Sequence, residues 1–171
     1  QKSDIGAQAA WKGFSSQTLY IASRLISDEG GYEYYPEDIE DLVVKKNGAI
    51  VEAVQVKNIS ADLTLSSLAA TKTSKGGEGF FNRMCSLHAQ NPFFHRIKVV
   101  YFNTLGVELQ EMQSGKAVTQ KALTKRLVDK HGLSESEAVW LIDSLCFEKV
   151  NLDDLDLNIQ TQISDYVPVM S

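Results

Sequence analysis

The chain of 171 residues carries a net charge of −5, and 43% of its residues are hydrophobic. This composition suits one globular domain with a sizeable core, and no segment approaches the roughly 20 consecutive apolar residues of a membrane span. The negative charge argues against tight nucleic-acid binding through bulk electrostatics, so any such contact must come from local basic segments.

The cysteines indicate the redox environment of the protein, and the chain ends indicate whether the sequence is part of a longer one. Cys85 and Cys146 lie among apolar neighbours, which favours buried thiols in a reducing, cytoplasmic environment over a disulfide. The chain begins at Gln1 with neither methionine nor an apolar signal region, and it stops at Ser171 after an ordinary mixed segment. We therefore expect it to be part of a longer protein.

The first predicted element is a helix over residues 9–26. Apolar residues such as Phe14, Leu19 and Ala22 recur at helical spacing, and Gly30-Gly31 stops the pattern. This helix is expected to pack on a sheet.

A β-hairpin follows. Leu42 to Val44 and Ile50 to Val56 are β-prone runs, and Asn47-Gly48 between them is a strong turn signal because both residues tolerate positive φ. On the second arm, Gln55 and Lys57 share one face, whereas Ile50, Val54 and Val56 are expected on the other.

Acidic residues precede the first arm of this hairpin, namely Asp38, Glu40 and Asp41. Carboxylate oxygens bind a hard cation such as Mg²⁺, which polarises a phosphate and activates water, and a nearby ammonium orients that water. Acids and Lys57 on adjoining strands are therefore chemically sufficient for metal-dependent phosphodiester cleavage. Acids before a strand are, however, more often solvent-exposed residues without a catalytic role.

The pairing register of the hairpin decides which acid faces Gln55. A two-residue turn places residue 40 opposite residue 55, with Asp38 on the same face, whereas a three-residue loop shifts that face to Ile39 and Asp41. We prefer Asp41 because it leaves Leu42 and Val44 together on the opposite, core-facing side, and Asp38 is the alternative.

Two later segments are basic. Lys72, Lys75 and Arg83 surround a glycine-rich stretch after the hairpin, which is either a mobile basic loop near the site or an ordinary solvent loop. The second segment has Lys121, Lys125, Arg126 and Lys130 at near-helical spacing. These residues indicate mainly a solvated helix face, with contact to a DNA backbone as the alternative.

The remaining elements complete an α/β pattern. A helix is predicted over residues 80–90, a buried strand over residues 97–102, and a helix over residues 116–130. Ser134-x-x-Glu137 is a capping box that opens another helix, followed by a short strand at residues 147–150 and an amphipathic helix over residues 151–164. We expect one domain over residues 1–171, with an α/β core at 1–110 and a mostly helical extension at 116–165.

Several segments together carry a family resemblance. Gly6 to Gln17, the Glu-Asp-Leu-Val-Val segment at residues 40–44, Gln-Val-Lys at residues 55–57, and the strand Ile97 to Thr104 occur in an order that resembles the endonuclease domain of CBASS-type (CD-NTase-associated) antiviral effectors. Those domains belong to the PD-(D/E)xK restriction-endonuclease-like superfamily. The resemblance extends through residues 117–164.

The resemblance implies a fold, a site and a function. The fold is a mixed central sheet flanked by helices, with a helical C-terminal part. Lys57 is implied as the superfamily lysine, Gln55 stands where an acid is usual, Asp41 is the first acid, and the Val56 carbonyl is a metal ligand. Gln17 is placed near the metal site.

The implied activity is cleavage of double-stranded DNA with Mg²⁺, for which Mn²⁺ is a possible substitute. The implied partners are a sensor or ATPase domain of the same longer chain, with activation by oligomerisation. Two alternatives stay open. One is a catalytically inactive nuclease-like fold that serves as a DNA-binding or assembly module, for which neutral Gln55 is the sign, and the other is an RNA substrate.

Overall fold

The computed structural model describes residues 2–28, 30–36, 40–70 and 78–166, with side chains described within residues 13–164. The strands are β1 (Glu33–Pro36), β2 (Leu42–Lys46), β3 (Ala49–Lys57), β4 (Arg96–Tyr101) and β5 (Leu145–Lys149). The helices are α1 (Lys2–Ile26), α2 (Leu65–Ala69), α3 (Phe80–Gln90), α4 (Val107–Gln113), α5 (Ala117–His131), α6 (Glu135–Ser144) and α7 (Leu152–Tyr166).

The strands form one mixed sheet in the order β1-β2-β3-β4-β5. The first three strands are antiparallel neighbours, and β3, β4 and β5 are parallel. Each parallel connection needs a helical crossover, which α2 and α3 supply between β3 and β4, and α4 to α6 supply between β4 and β5. The expected α/β class with a mixed sheet between helices is confirmed.

Each face of the sheet has its own hydrophobic cluster. On one face, side chains of α2 to α6 pack against residues such as Val43, Ala53 and Val99. On the other face, Tyr20 of α1 and Leu155 of α7 pack against strand residues that include Val54. The sheet is therefore covered on both sides, as its long apolar strands require.

Several turns and helices lie where local sequence signals predict them. Asn47 and Gly48 have φ of 52° and 77°, so they form the tight turn that their residue types predict. Helix α3 occupies the predicted residues 80–90, and α6 begins with the predicted capping box, in which the Ser134 side chain accepts a hydrogen bond from the Glu137 backbone N–H. Helix α1 begins at Lys2, earlier than its apolar spacing indicates.

Three elements were not predicted, namely β1, α2 and α4. All are short, and a periodic pattern needs more residues than they have. Strand β5 covers residues 145–149, close to the predicted strand at 147–150, and it pairs in parallel with β4. The C-terminal part therefore contributes a strand to the central sheet as well as helices.

Candidate functional site

A β-bulge sets the register of the β2–β3 hairpin. The turn has two residues, because Lys46 pairs with Ala49, yet Val44 pairs with Glu52 and leaves Val51 as an extra residue on β3. Leu42 then pairs with Val54, which brings Asp41 opposite Gln55. The two-residue turn and the Asp41 pairing, which our sequence argument treated as exclusive, thus occur together.

The same bulge corrects the expected face of Ile50. We predicted Ile50 on the side of Val54, but it joins the cluster that contains Ala53, on the opposite face. A simple alternation of side chains fails here because Val51 interrupts it.

Asp41 and Gln55 are in direct contact at the end of this hairpin. The Gln55 amide nitrogen Nε2 donates a hydrogen bond to Asp41 Oδ2, and the Val56 backbone N–H donates to the same oxygen at 2.6 Å. Gln55 is buried, whereas Asp41 and Val56 are half-buried. These donors fix the position of the Asp41 carboxylate.

Lys57 lies beside the carboxylates of Asp41 and Glu40. Burial lowers the pKa of Lys57, while the negative charges of Asp41 and Glu40 act in the opposite direction. The effect of burial is the larger one, so Lys57 loses its proton more easily than a surface lysine even though the two carboxylates hold that proton more tightly. The structure thus brings Asp41, Gln55, Val56 and Lys57 to the same end of the hairpin.

Glu40 and Arg83 form a buried ion pair next to this group, which sequence reasoning missed. Arg83 Nε lies 2.8 Å and Arg83 NH2 lies 2.7 Å from Glu40 Oε1. Burial raises the pKa of Glu40 to about 7, and the Arg83 charge opposes that rise. The sequence shows Glu40 as an acid before β2 and Arg83 as part of a basic segment. No local pattern links them, because the two positions are 43 residues apart.

Helix α1 reaches the same end of β3. Asn58, directly after Lys57, donates a hydrogen bond from Nδ2 to the Ser16 hydroxyl, and Ser16 is fully buried. Gln17, which the resemblance places near the site, is half-buried in the adjoining position. The contact holds the middle of α1 against the end of the β2–β3 hairpin.

The remaining predicted positions have separate outcomes. Asp38, Lys72 and Lys75 lie outside the described residues. On α5, Lys125 Nζ lies 2.5 Å from Asp129 Oδ2, and Arg126 NH1 lies 2.8 Å from Glu108 Oε2. These pairs agree with a solvated helix face.

Within the described ranges, no group of three or more His, Cys, Asp or Glu side chains could hold a metal ion. Among the residues that the structure describes, the acidic donors at the hairpin site are Asp41 and Glu40. In the same ranges, no helix is long and apolar enough to cross a bilayer.

The fold is similar to part of several solved receptor structures. The chain aligns with the Cap4 SAVED/CARF-domain containing receptor of Moraxella osloensis at 20% identity and a TM-score of 0.50, covering 90% of this chain and 37% of that one. It aligns with the Acinetobacter baumannii Cap4 receptor bound to the cyclic trinucleotide 3'3'3'-cAAA at 15% identity and a TM-score of 0.55, covering 92% and 36%. A further structure of that receptor gives 15% identity, a TM-score of 0.53, and coverage of 92% and 38%.

These alignments show a shared fold, and the chain spans a little over a third of the length of the Cap4 chains. No protein-family model matches the sequence, and no match is found among curated proteins.

Proposed function

We propose that this chain is a metal-dependent DNA endonuclease domain that acts as an effector in bacterial anti-phage defence. The observation that carries the nuclease part is the contact of Asp41 with Gln55 and the Val56 backbone, with Lys57 alongside. The defence part is supported by the sequence resemblance to CBASS-type effectors and by the fold shared with Cap4 receptors.

The donor set fits one hard cation. Mg²⁺ is usually held by one or two carboxylates and completes its octahedron with water and substrate phosphate oxygens. Asp41, the Gln55 side-chain oxygen and the Val56 carbonyl would hold the ion. Gln55 presents its nitrogen to Asp41, so the amide must rotate by half a turn to offer its oxygen. The bound ion would polarise the scissile phosphate and lower the pKa of a water molecule.

The protein groups have distinct roles in this proposal. Lys57 orients the attacking water and offsets charge that develops on the phosphate, and burial suits it to exchange a proton. The water oxygen releases a proton to a second water molecule as it bonds to phosphorus, the opposite P–O ester bond breaks, and the leaving oxygen takes a proton from solvent. The Glu40–Arg83 pair keeps a second carboxylate and a cation close to the Lys57 ammonium.

Activation by assembly is part of the proposal. A site with one central carboxylate and a neutral amide holds metal weakly, and a chain with a net charge of −5 has little general attraction for DNA. A sensor or ATPase domain of a longer chain would bring several such sites onto one duplex. Isolated monomers are then expected to cleave slowly.

The test is cleavage of supercoiled plasmid by the purified chain over a range of protein concentrations, with Mg²⁺, Mn²⁺ or a chelator. Lys57→Met keeps the aliphatic stem and removes the charge, and Lys149→Met, at an exposed position at the end of β5, is the matched control. We expect metal-dependent nicking that Lys57→Met reduces at least a hundredfold and Lys149→Met preserves. Equal cleavage by both variants would contradict the assignment of Lys57.

One observation favours the non-catalytic alternative. Asp41 Oδ2 already accepts hydrogen bonds from Gln55 and Val56, so its charge is stabilised without a cation. Calorimetric titration with Mn²⁺ separates the two functions. The nuclease needs affinity that Asp41→Asn abolishes, whereas an assembly module binds no metal in either form.

A further inference from the structure

A second concave site lies on the other side of the sheet from Gln55 and Lys57, and we call it the hairpin cleft. It has a volume of about 420 Å³ and is bounded by the last turn of α1, strands β1 to β3 and the start of β4. Glu52, on its floor, is five residues before Lys57 on β3, so the two positions are separated by about 16 Å along the strand. The cleft is therefore distinct from the proposed catalytic site.

The bulge and two glycines build this cleft. Val51, the extra residue of β3, lies in its wall next to Glu52. Gly30 and Gly31 have φ of 99° and 97°, a backbone conformation that favours glycine, and they turn the chain from α1 into β1. This turn brings Tyr32 and Tyr34 to the cleft wall.

The floor of the cleft is a charged pair held in place by other residues. Arg24 NH2 lies 3.0 Å from Glu52 Oε1, and Glu52 is only 4% exposed. Arg24 NH1 also donates to the Tyr20 hydroxyl at 3.4 Å, which in turn donates to Glu148 at 3.2 Å. Arg24 is thereby held in place and its charge offsets that of Glu52, although the buried Glu52 Oε1 accepts no hydrogen bond from the described residues.

The rim carries cations with more access to solvent. The Arg96 side chain is 55% exposed and its NH1 lies 3.5 Å from Glu52 Oε2, a distant pairing. Lys46 is exposed, and its Nζ lies 5.3 Å from the centre of the Tyr32 ring. Arg24, Lys46 and Arg96 face Glu52 and Asp28, so the formal charges of these five side chains sum to about +1, whereas the whole chain is at −5.

We propose that the hairpin cleft binds a nucleotide, with the base against Tyr32 and Tyr34 and the phosphate at Lys46 and Arg96. Aromatic side chains stack on bases of any type, and exposed cations pair with phosphate oxygens. A volume of about 420 Å³ lies in the range of roughly 300–1,000 Å³ for small-molecule sites. Inorganic phosphate alone has no ring to stack on Tyr32 and Tyr34, whose rings lie near the Lys46 and Arg24 cations respectively.

The same chemistry has two sources, a free mononucleotide or a nucleotide within a DNA strand. The probes are therefore AMP, adenosine, inorganic phosphate and a short single-stranded oligonucleotide, each titrated into the chain and followed by calorimetry and by amide chemical shifts. Tight binding of AMP identifies the free nucleotide as the source, and binding of the oligonucleotide alone identifies the strand. The inference does not depend on nuclease activity.

The deciding variant is Lys46→Gln/Arg96→Gln, and the matched control is Lys121→Gln/Lys130→Gln, which removes the same charge from exposed positions of α5. We expect AMP or the oligonucleotide to bind more tightly than adenosine and phosphate, and the cleft variant to weaken this binding at least tenfold while the control changes it less than twofold. Tyr32→Ala should weaken it several-fold.

Equal weakening by both double variants, or no binding of AMP or oligonucleotide at millimolar concentration, would overturn the proposal. The thermal unfolding curves of both double variants are recorded beside that of the parent, because Arg96→Gln also removes the 3.5 Å pairing to the buried Glu52 carboxylate.

Discussion

Gln55 is the residue at which the proposed site differs most from a site with two acids. Its amide donates to Asp41, so the pair carries one negative charge where two carboxylates would carry two. Two adjacent carboxylates repel each other unless a cation lies between them. The amide thus stabilises the hairpin end without metal and weakens the attraction for metal.

The Gln55→Glu variant should differ from the parent in stability without metal and in its response to Mg²⁺. Without metal, the variant should lose about 1–3 kcal/mol of unfolding free energy, because a hydrogen bond is replaced by repulsion from Asp41. With Mg²⁺ it should recover, and the Mg²⁺ concentration for half-maximal cleavage should fall at least several-fold. Denaturant unfolding with and without Mg²⁺ measures the first effect, and plasmid cleavage measures the second. A Mg²⁺ midpoint equal to that of the parent would count against Gln55 as a metal ligand.

Glu40 gives a prediction about pH. Its folded pKa of about 7 exceeds the ordinary value of 4.5, so the folded state binds its proton more tightly than the unfolded state. The corresponding stability is fully present below pH 4.5 and is lost as the pH rises through 7. Glu40→Gln cannot titrate and should lack this decline.

The measurement is the unfolding free energy of both proteins at several pH values. The difference between the parent and Glu40→Gln should change by roughly 1–3 kcal/mol between pH 4.5 and pH 8, with the parent becoming relatively less stable at high pH. A difference that is constant with pH, or that changes in the opposite direction, would show that Arg83 keeps Glu40 ionised throughout.

At the scale of elements, helix α6 shows how much a short motif can specify. Ser134 Oγ accepts from the Glu137 N–H at 3.3 Å, and Glu137 Oε2 accepts from the Ser134 N–H at 2.8 Å. Ser134→Ala should therefore lower the unfolding free energy by about 1 kcal/mol, while Ser134→Asp, which keeps a capping oxygen, should stay within about 0.5 kcal/mol of the parent. Urea denaturation tests both, and equal losses would mean that the cap is not the cause.

The sequence predicts those elements whose signals lie within a few residues. The Asn47-Gly48 turn, the Ser134 cap and the apolar run of β4 are each local, and each is present in the structure. The bulge at Val51 is not local in this sense, because it depends on how β3 packs against both clusters as well as on its own residues. For the same reason the Glu40–Arg83 pair and the hairpin cleft required the folded chain.

At the scale of the whole molecule, the C-terminal part belongs to the sheet. Strand β5 covers the edge of β4, and Leu155 of α7 joins the cluster formed with α1. Removing residues 145–171 would expose the β4 edge and part of both clusters. We expect this truncation to abolish cooperative unfolding, measured by circular dichroism during heating.

Removal of residues 167–171 alone is the control, because the contacts of β5 and Leu155 remain. It should shift the unfolding midpoint by less than a few degrees. A cooperative transition in the longer truncation would show that residues 1–144 form a stable unit without the fifth strand.

The bulge has one more consequence, for how the hairpin could be re-engineered. Asp41 and Gln55 lie on one side of the Val44–Glu52 pair, and the turn and Val51 lie on the other. Any loop that returns the chain with Val44 opposite Glu52 should keep the Asp41–Gln55 pairing, whatever its length. A hairpin grafted in place of residues 45–51 would remove Lys46 and Val51 from the cleft while Asp41 and Gln55 remain paired, provided that it supplies an apolar side chain where Ile50 packs with Ala53.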